Sequence, residues 1–115
     1  MVKKRQQNSS ESKQATVKYF APVAVDKGVL WGEQTQRSLK NFNIGQQCFE
    51  VGFIEALVNI KRASAEVNYE AGMLTSDRSS AIIRACDEIL SGRHRDQFPL
   101  RVWQTGSGTQ TNMNV

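Results

Sequence analysis

Residues 98–115 read FPLRVWQTGSGTQTNMNV, and the rest of the chain is organised around this stretch. Its apolar beginning predicts a buried strand. The run then changes at residues 106–109 into hydroxyl-bearing and small residues, with no charge after Arg101. Because Gly106 and Gly108 allow backbone conformations closed to other residues, successive N–H groups can converge on one point. Such a stretch is suited to holding an anion.

The side chains of this stretch offer many hydrogen-bond donors but no point charge. Hydroxyls come from Ser107, Thr109 and Thr111, and amides come from Gln104, Gln110, Asn112 and Asn114. Without a lysine and the G-x-x-x-x-G-K-[ST] spacing, nucleotide binding is disfavoured, and a small carboxylate or phosphate fits better. The alternative is a polar turn between a strand and a helix that binds nothing.

Two blocks of sequence occur in a fixed order along the chain. Residues 30–38 read LWGEQTQRS, and residues 103–110 read WQTGSGTQ, followed by NMN at residues 112–114. Both blocks resemble the class II fumarase family of the fumarase/aspartase superfamily, whose members carry a W-G-A-Q-T-Q-R-S run ahead of the glycine loop. Relatives that deaminate aspartate typically carry Gly-Gly-Ala-Gly-Thr-Ser where this chain has residues 105–110. The resemblance therefore favours the hydratase over the ammonia lyase.

The resemblance implies that Ser107, Gly108 and Thr109 bind a carboxylate of fumarate or L-malate. Family members also use a Thr-His pair in a central helical domain and a mobile loop of the form G-S-S-x-M-P-x-K-x-N-P. Neither occurs here. We therefore assign no catalytic residue to this chain and expect it to be inactive alone. The resemblance further implies a homotetramer for the full-length protein and no metal or cofactor.

The resemblance covers roughly residues 25–115. We interpret residues 15–115 as a truncated N-terminal lyase domain without the central helical-bundle and C-terminal domains. The expected fold is mainly α, with short extended segments near the N-terminus and an αα-hairpin. Its apolar helix faces predict marginal stability or self-association. Two alternatives stay open: a fragment of an aspartate ammonia-lyase-like enzyme, and a non-catalytic interaction module whose basic tail contacts an acidic partner.

The net charge of +4 lies in the first twenty residues. The basic residues there are Lys3, Lys4, Arg5, Lys13 and Lys18, against the single acidic Glu11. The remaining body is neutral, so the basic pI predicts no nucleic-acid-binding face. Residues 1–14 are rich in Lys, Gln and Ser and contain no aromatic residue. Such a composition cannot offset the entropy lost on ordering, which predicts a disordered tail.

The sequence carries no signal for secretion or membrane insertion. The tail lacks an apolar run of about 7 to 15 residues, and no segment approaches the roughly 20 apolar residues that span a bilayer. Cys48 and Cys86 have neither metal-site spacing nor a disulfide-rich context. A reducing cytoplasm is therefore expected, with a mitochondrial location left open.

Three helices are predicted from the spacing of apolar residues. Residues 32–42 predict a short helix, with Thr35, Ser38 and Leu39 near one face. Residues 51–71 predict a long helix that stops at Gly72, and a second helix ends before Gly92. The apolar faces of these two helices are predicted at Phe53, Leu57, Ile60, Ser64, Val67 and Ala71, and at Ile82, Cys86, Ile89 and Leu90. Residues 16–30 predict an extended, hairpin-like segment.

His94 is the only histidine, and it lies between two arginines just past a predicted helix end. One interpretation makes it a general base paired with Asp96. The favoured one is a solvated basic turn near the last carbonyls of the helix, because a loop position lacks the burial that tunes catalytic groups. Arg37 is likewise interpreted as an ion-pair partner rather than a substrate cation, and Cys86 as a small core residue.

Overall fold

The computed structural model describes residues 21–115. The described part is mainly helical, which confirms the predicted fold class. Its elements are α1 (Glu33–Asn41), α2 (Val51–Glu70), α3 (Ser76–Leu90), a 3-10 turn (Arg95–Gln97) and α4 (Thr109–Asn114). The tail predicted to be disordered, residues 1–14, lies outside the described residues.

Helices α2 and α3 form the predicted antiparallel αα-hairpin. α2 ends because Gly72 has a φ of 70°, a conformation that favours glycine. The next residue, Met73, donates its N–H to the Asn68 carbonyl at 2.8 Å. Across the hairpin, the buried Ser79 hydroxyl donates to the Ala65 carbonyl at 3.2 Å. The prediction that Gly72 stops the first helix and that a second follows at once is confirmed.

The core lies between the two hairpin helices and the segments that flank them. Val58 is only 1% exposed and is the most deeply buried large side chain among the described residues. Around it pack Phe49, Ile54, Cys86, Ile89, Leu90, Phe98 and Val115. Cys86 is therefore a core residue as predicted, and burial raises the pKa of its thiol.

The predicted apolar face of α2 is wrong. Phe53, Ile60 and Val67 are 47%, 62% and 62% exposed. The residues that α2 buries are Ile54, Val58 and Ala65. Because apolar residues cover more than one side of this helix, three- and four-residue spacing fits two different faces. Packing against α3 decides which of the two faces is buried. On α3 the predicted position Ile82 is also mostly outside the core, being 38% exposed.

The strand predicted at the start of residues 98–115 does not form. Its only pairing within the described residues is an isolated antiparallel bridge between Cys48 and Arg101. Leu100 is nevertheless buried at 3% exposure, so the segment does contribute to the core. Toward α2 the bridge cannot extend far, because that helix begins at Val51 and Pro99, on the facing segment at the same end, has no N–H to donate.

The extended segment predicted at residues 16–30 is described only from residue 21 onward. Residues 21–32 contain no helix and no paired strands, so the hairpin-like interpretation is wrong for this part. A turn lies at residues 27–28, where Gly28 has a φ of 94°. In the following helix α1, Thr35 and Ser38 are buried and Leu39 is half-buried, in agreement with the prediction that the three residues share one face.

Candidate functional site

The exposed loop before α4 carries three hydroxyls that contact one another. The oxygens of Thr105 and Ser107 lie 3.2 Å apart, and Ser107 donates to the Thr109 hydroxyl at 3.2 Å. The backbone N–H of Thr109 also points to Ser107, at an N···O distance of 3.5 Å. Ser107 therefore lies at the centre of a small cluster of donors. A bound carboxylate could accept from these groups in place of their mutual hydrogen bonds.

Gly108 gives the loop its shape. Its φ of 73° and ψ of −1° lie in the left-handed region, directly before α4 begins. A Cβ at this position would have no other heavy atom of the described chain within 4 Å. Gly106 does not have a positive φ, so the prediction that both glycines use conformations closed to other residues holds for Gly108 alone.

The structure corrects the role expected of Thr111. The sequence grouped its hydroxyl with those available to a ligand, but Thr111 is only 3% exposed. Its hydroxyl donates inward, to the side-chain oxygen of Gln104 at 3.1 Å. Composition alone could not separate this hydroxyl from those of Ser107 and Thr109, because the distinction depends on which side of α4 faces the body.

Arg101, which precedes the loop, and Lys61, which contacts α4, make their hydrogen bonds away from the hydroxyl cluster. The guanidinium of Arg101 donates to the Gln46 carbonyl at 2.9 Å and lies 3.5 Å from the Cys48 sulfur. Lys61, on α2, donates to the Asn112 carbonyl of α4 at 2.9 Å. The loop therefore presents uncharged hydrogen-bond donors, namely hydroxyls and N–H groups, to an anion, as the sequence indicated.

The two sequence blocks meet where α1 packs against α4. A cavity of about 110 Å³ lies between them. Its lining comes from Gln34, Thr35, Arg37, Ser38, Asn41, Gln110 and Met113. The side-chain oxygen of Gln110 is buried and has no hydrogen-bond partner within residues 21–115. Arg37 donates to Glu33 at 3.0 Å and to the Ala21 carbonyl at 2.9 Å, in agreement with its interpretation as an ion-pair partner.

Gln97 links the two blocks from the other side, a role that sequence reasoning missed. Its side-chain oxygen accepts the Leu30 N–H at 2.7 Å. Its backbone carbonyl accepts from the Asn114 amide at 3.0 Å. Gln97 lies in the 3-10 turn, outside both blocks and 67 residues from Leu30, so no local pattern marks its contact with the first block.

His94 does not pair with Asp96. Its Nε2 lies 2.8 Å from a carboxylate oxygen of Glu88, and Asp96 instead accepts from Gln97 at 2.7 Å. The hydrogen bond from His94, helped by the charge of Arg93, lowers the pKa of Glu88. The arrangement matches the favoured interpretation of a basic turn at the end of α3.

The described residues contain no group of three or more His, Cys, Asp or Glu side chains placed to hold a metal ion. No helix in that same part of the chain is long and apolar enough to cross a membrane.

Comparison with known proteins decides the family. The sequence family described as Lyase matches residues 22–115. The chain belongs to this lyase family. A curated relative from Myxococcus xanthus named fumarate hydratase class II is 56% identical over 96 residues. A relative of the same name from Blochmanniella floridana is 59% identical over 86 residues.

The chain covers only part of these relatives. The Myxococcus xanthus match spans 84% of this chain and 21% of the relative. Among solved structures, a fumarate lyase:delta crystallin from Brucella melitensis in native form superposes with a TM-score of 0.77 at 33% identity. That match covers 80% of this chain and 21% of the other. The resemblance to class II fumarases drawn from residues 30–38 and 103–114 is confirmed.

Proposed function

We propose that the chain is the N-terminal, substrate-carboxylate-binding part of a fumarate hydratase, which interconverts fumarate and L-malate. The observation that carries the proposal is the hydroxyl cluster centred on Ser107, beside Gly108 in the left-handed region. It lies in a segment more than half identical to a relative named fumarate hydratase class II. That name also favours the hydratase over the ammonia lyase.

The loop supplies one part of the chemistry. Hydration of fumarate requires a bound and oriented carboxylate, a proton transfer next to it, and stabilisation of the negative charge that develops there. The loop supplies the first of these three. Ser107 and Thr109 offer hydroxyls, and Gly108 offers a backbone N–H on an accessible loop. In this role the three residues bind and orient a carboxylate of fumarate or L-malate.

The proton transfer requires groups from elsewhere. His94 contacts Glu88 rather than the loop, and the Ser107 hydroxyl contacts only the Thr105 and Thr109 hydroxyls among the described side chains. We therefore assign the general acid and base to the parts of the relatives that residues 22–115 do not match, and we propose that the chain alone is inactive. The proposal includes the homotetramer of the family, a cytoplasmic location and a role in the tricarboxylic acid cycle.

A chimera tests the assignment of the loop. Residues 22–115 replace the matching segment of the Myxococcus xanthus fumarate hydratase, and loss of fumarate absorbance measures hydration. Thr109→Val keeps the shape of the side chain but removes a hydroxyl that donates to an anion. It is expected to weaken fumarate binding by about 1.5 to 3 kcal/mol, seen as a raised KM.

The matched control is Ser80→Ala, which removes an exposed hydroxyl on α3 remote from the loop. It is expected to leave KM unchanged. If Thr109→Val and Ser107→Ala both leave KM and kcat at the level of this control, the loop does not bind the substrate and the proposed function is wrong.

A further inference from the structure

Two polar side chains close the base of the hydroxyl loop. Gln104 precedes the loop and Thr111 follows it on α4, and the Thr111 hydroxyl donates to the Gln104 side-chain oxygen at 3.1 Å. The amide nitrogen of the same Gln104 donates to the Arg101 carbonyl at 2.9 Å. Both the oxygen and the nitrogen of the Gln104 amide are therefore hydrogen-bonded. Residues 105–110 form a closed arch above the Gln104–Thr111 pair.

We propose that Gln104 and Thr111 are positioning residues that hold Ser107 and Thr109 in place to receive the substrate carboxylate. The inference rests on the proposed function of the loop. Neither residue touches the substrate in this account, because Thr111 is buried and Gln104 is half-buried beneath the arch. The two residues act by reducing the number of shapes that the loop can adopt before binding.

The burial of Thr111 makes its hydrogen bond matter. A buried hydroxyl without a partner is unfavourable, so the pair is held together more firmly than two exposed side chains would be. Above the arch, the loop residues 105–109 are exposed and their side-chain hydrogen bonds are to one another. We call the hydrogen bond between Gln104 and Thr111 the clamp. It is a side-chain connection that ties the two ends of the loop to each other.

The rest of α4 is anchored independently of the clamp. Lys61 donates to the Asn112 carbonyl, and the Asn114 amide donates to the Gln97 carbonyl. Removing the Thr111 hydroxyl should therefore leave α4 docked on the body. The effect is expected in the geometry of the loop and not in the fold as a whole.

The kinetic test uses the same chimera and a pair of substitutions at one position. Thr111→Val removes the hydroxyl and keeps the shape, and Thr111→Ser restores the hydroxyl. Thr111→Val is expected to raise the KM for fumarate about tenfold, the ratio that corresponds to one lost hydrogen bond. Because a binding loop acts before the chemical step, kcat should change less than about twofold. Thr111→Ser should restore KM to within about twofold of the parent.

A second measurement follows the conformation of the loop by NMR and does not depend on enzyme activity. In the 115-residue chain, labelled with ¹⁵N, Thr111→Val is expected to shift the backbone amide resonances of Gly106, Ser107 and Gly108. The resonances of α2 and α3 should stay in place. Thr111→Ser should return the loop resonances to their original positions.

The outcomes separate the clamp from the function of the loop. The clamp is refuted if Thr111→Val leaves both the loop resonances and KM unchanged, or if it lowers kcat with KM unchanged and Thr111→Ser does the same. If the loop resonances shift while Ser107→Ala and Thr109→Val leave KM unchanged, the clamp stands and the proposed substrate role of the loop fails. If the chimera is inactive, the shift of the loop amide resonances in Thr111→Val decides whether the clamp exists.

Discussion

Replacement of Gly108 by alanine tests the loop conformation most sharply. A residue with a Cβ loses roughly 1 to 2 kcal/mol in the left-handed region, and the φ of Gly108 is 73°. Beyond the two neighbouring residues of the chain, no heavy atom of the described residues lies within 4 Å of the added Cβ, so a clash with more distant groups contributes nothing. Alanine also restricts the unfolded chain, which offsets part of this loss, about 0.4 to 1 kcal/mol. Gly108→Ala is therefore expected to lower the free energy of unfolding by about 1 kcal/mol.

Gly106→Ala is the matched control two residues away. Gly106 has no positive φ, and an added Cβ there also meets nothing within 4 Å. This change is expected to be neutral or to stabilise by up to about 1 kcal/mol. Gly108→Asn should lose less than Gly108→Ala, because asparagine tolerates the left-handed region. Gly108→Val should lose more, because a β-branched side chain is poorly tolerated at positive φ.

Urea unfolding of the 115-residue chain, followed by tryptophan fluorescence, measures these differences. Ranked from the most to the least stable, the variants should follow the order Gly106→Ala, Gly108→Asn, Gly108→Ala, Gly108→Val. Equal free energies of unfolding for Gly106→Ala and Gly108→Ala would contradict this expectation, since both sites are exposed and only Gly108 has a positive φ.

Three further predictions follow from the hairpin and its end. Ser79→Ala removes the buried hydrogen bond to a carbonyl of α2 and should cost about 1 kcal/mol in urea unfolding, whereas Ser80→Ala, at an exposed site, should cost less than about 0.5 kcal/mol. The pKa of Glu88 is lowered by the hydrogen bond from His94, so its contribution to stability is present above the ordinary glutamate pKa and is lost as pH falls through the lowered value. Glu88→Gln should flatten that acid-side fall in a pH series of urea unfolding, and an unchanged fall would contradict the assignment. Burial and a raised thiol pKa should make Cys86 react with iodoacetamide more slowly than the exposed thiol of Cys48. Equal reaction rates would contradict the place of Cys86 in the core.

The helices were predictable because local signals agree with one another. The end of α2 follows from Gly72, and the position of Cys86 follows from its spacing with Ile89 and Leu90 on α3. The buried side of α2 was not predictable from spacing, because Phe53 and Ile54 both begin apolar series along the helix. Only contact with α3 selects the series that starts at Ile54.

The loop was predictable in kind but not in detail. The run of hydroxyls around Ser107 indicated an anion-binding loop, and those side chains do converge. The inward direction of Thr111 and the contact of Gln97 with Leu30 depend on tertiary packing between segments distant in sequence. The strand expected before the loop failed for a related reason, since residues 46–48 offer it only a short partner.

The most direct test of the central claim is a fumarate hydration assay on the 115-residue chain, alone and mixed with the remaining part of the Myxococcus xanthus relative. The account predicts no activity from the chain alone and measurable activity from the mixture, lowered by Thr109→Val and unaffected by Ser80→Ala. Activity of the chain alone would contradict the proposal that the general acid and base lie outside it. A mixture whose activity does not depend on Thr109 would contradict the carboxylate-binding role of the loop.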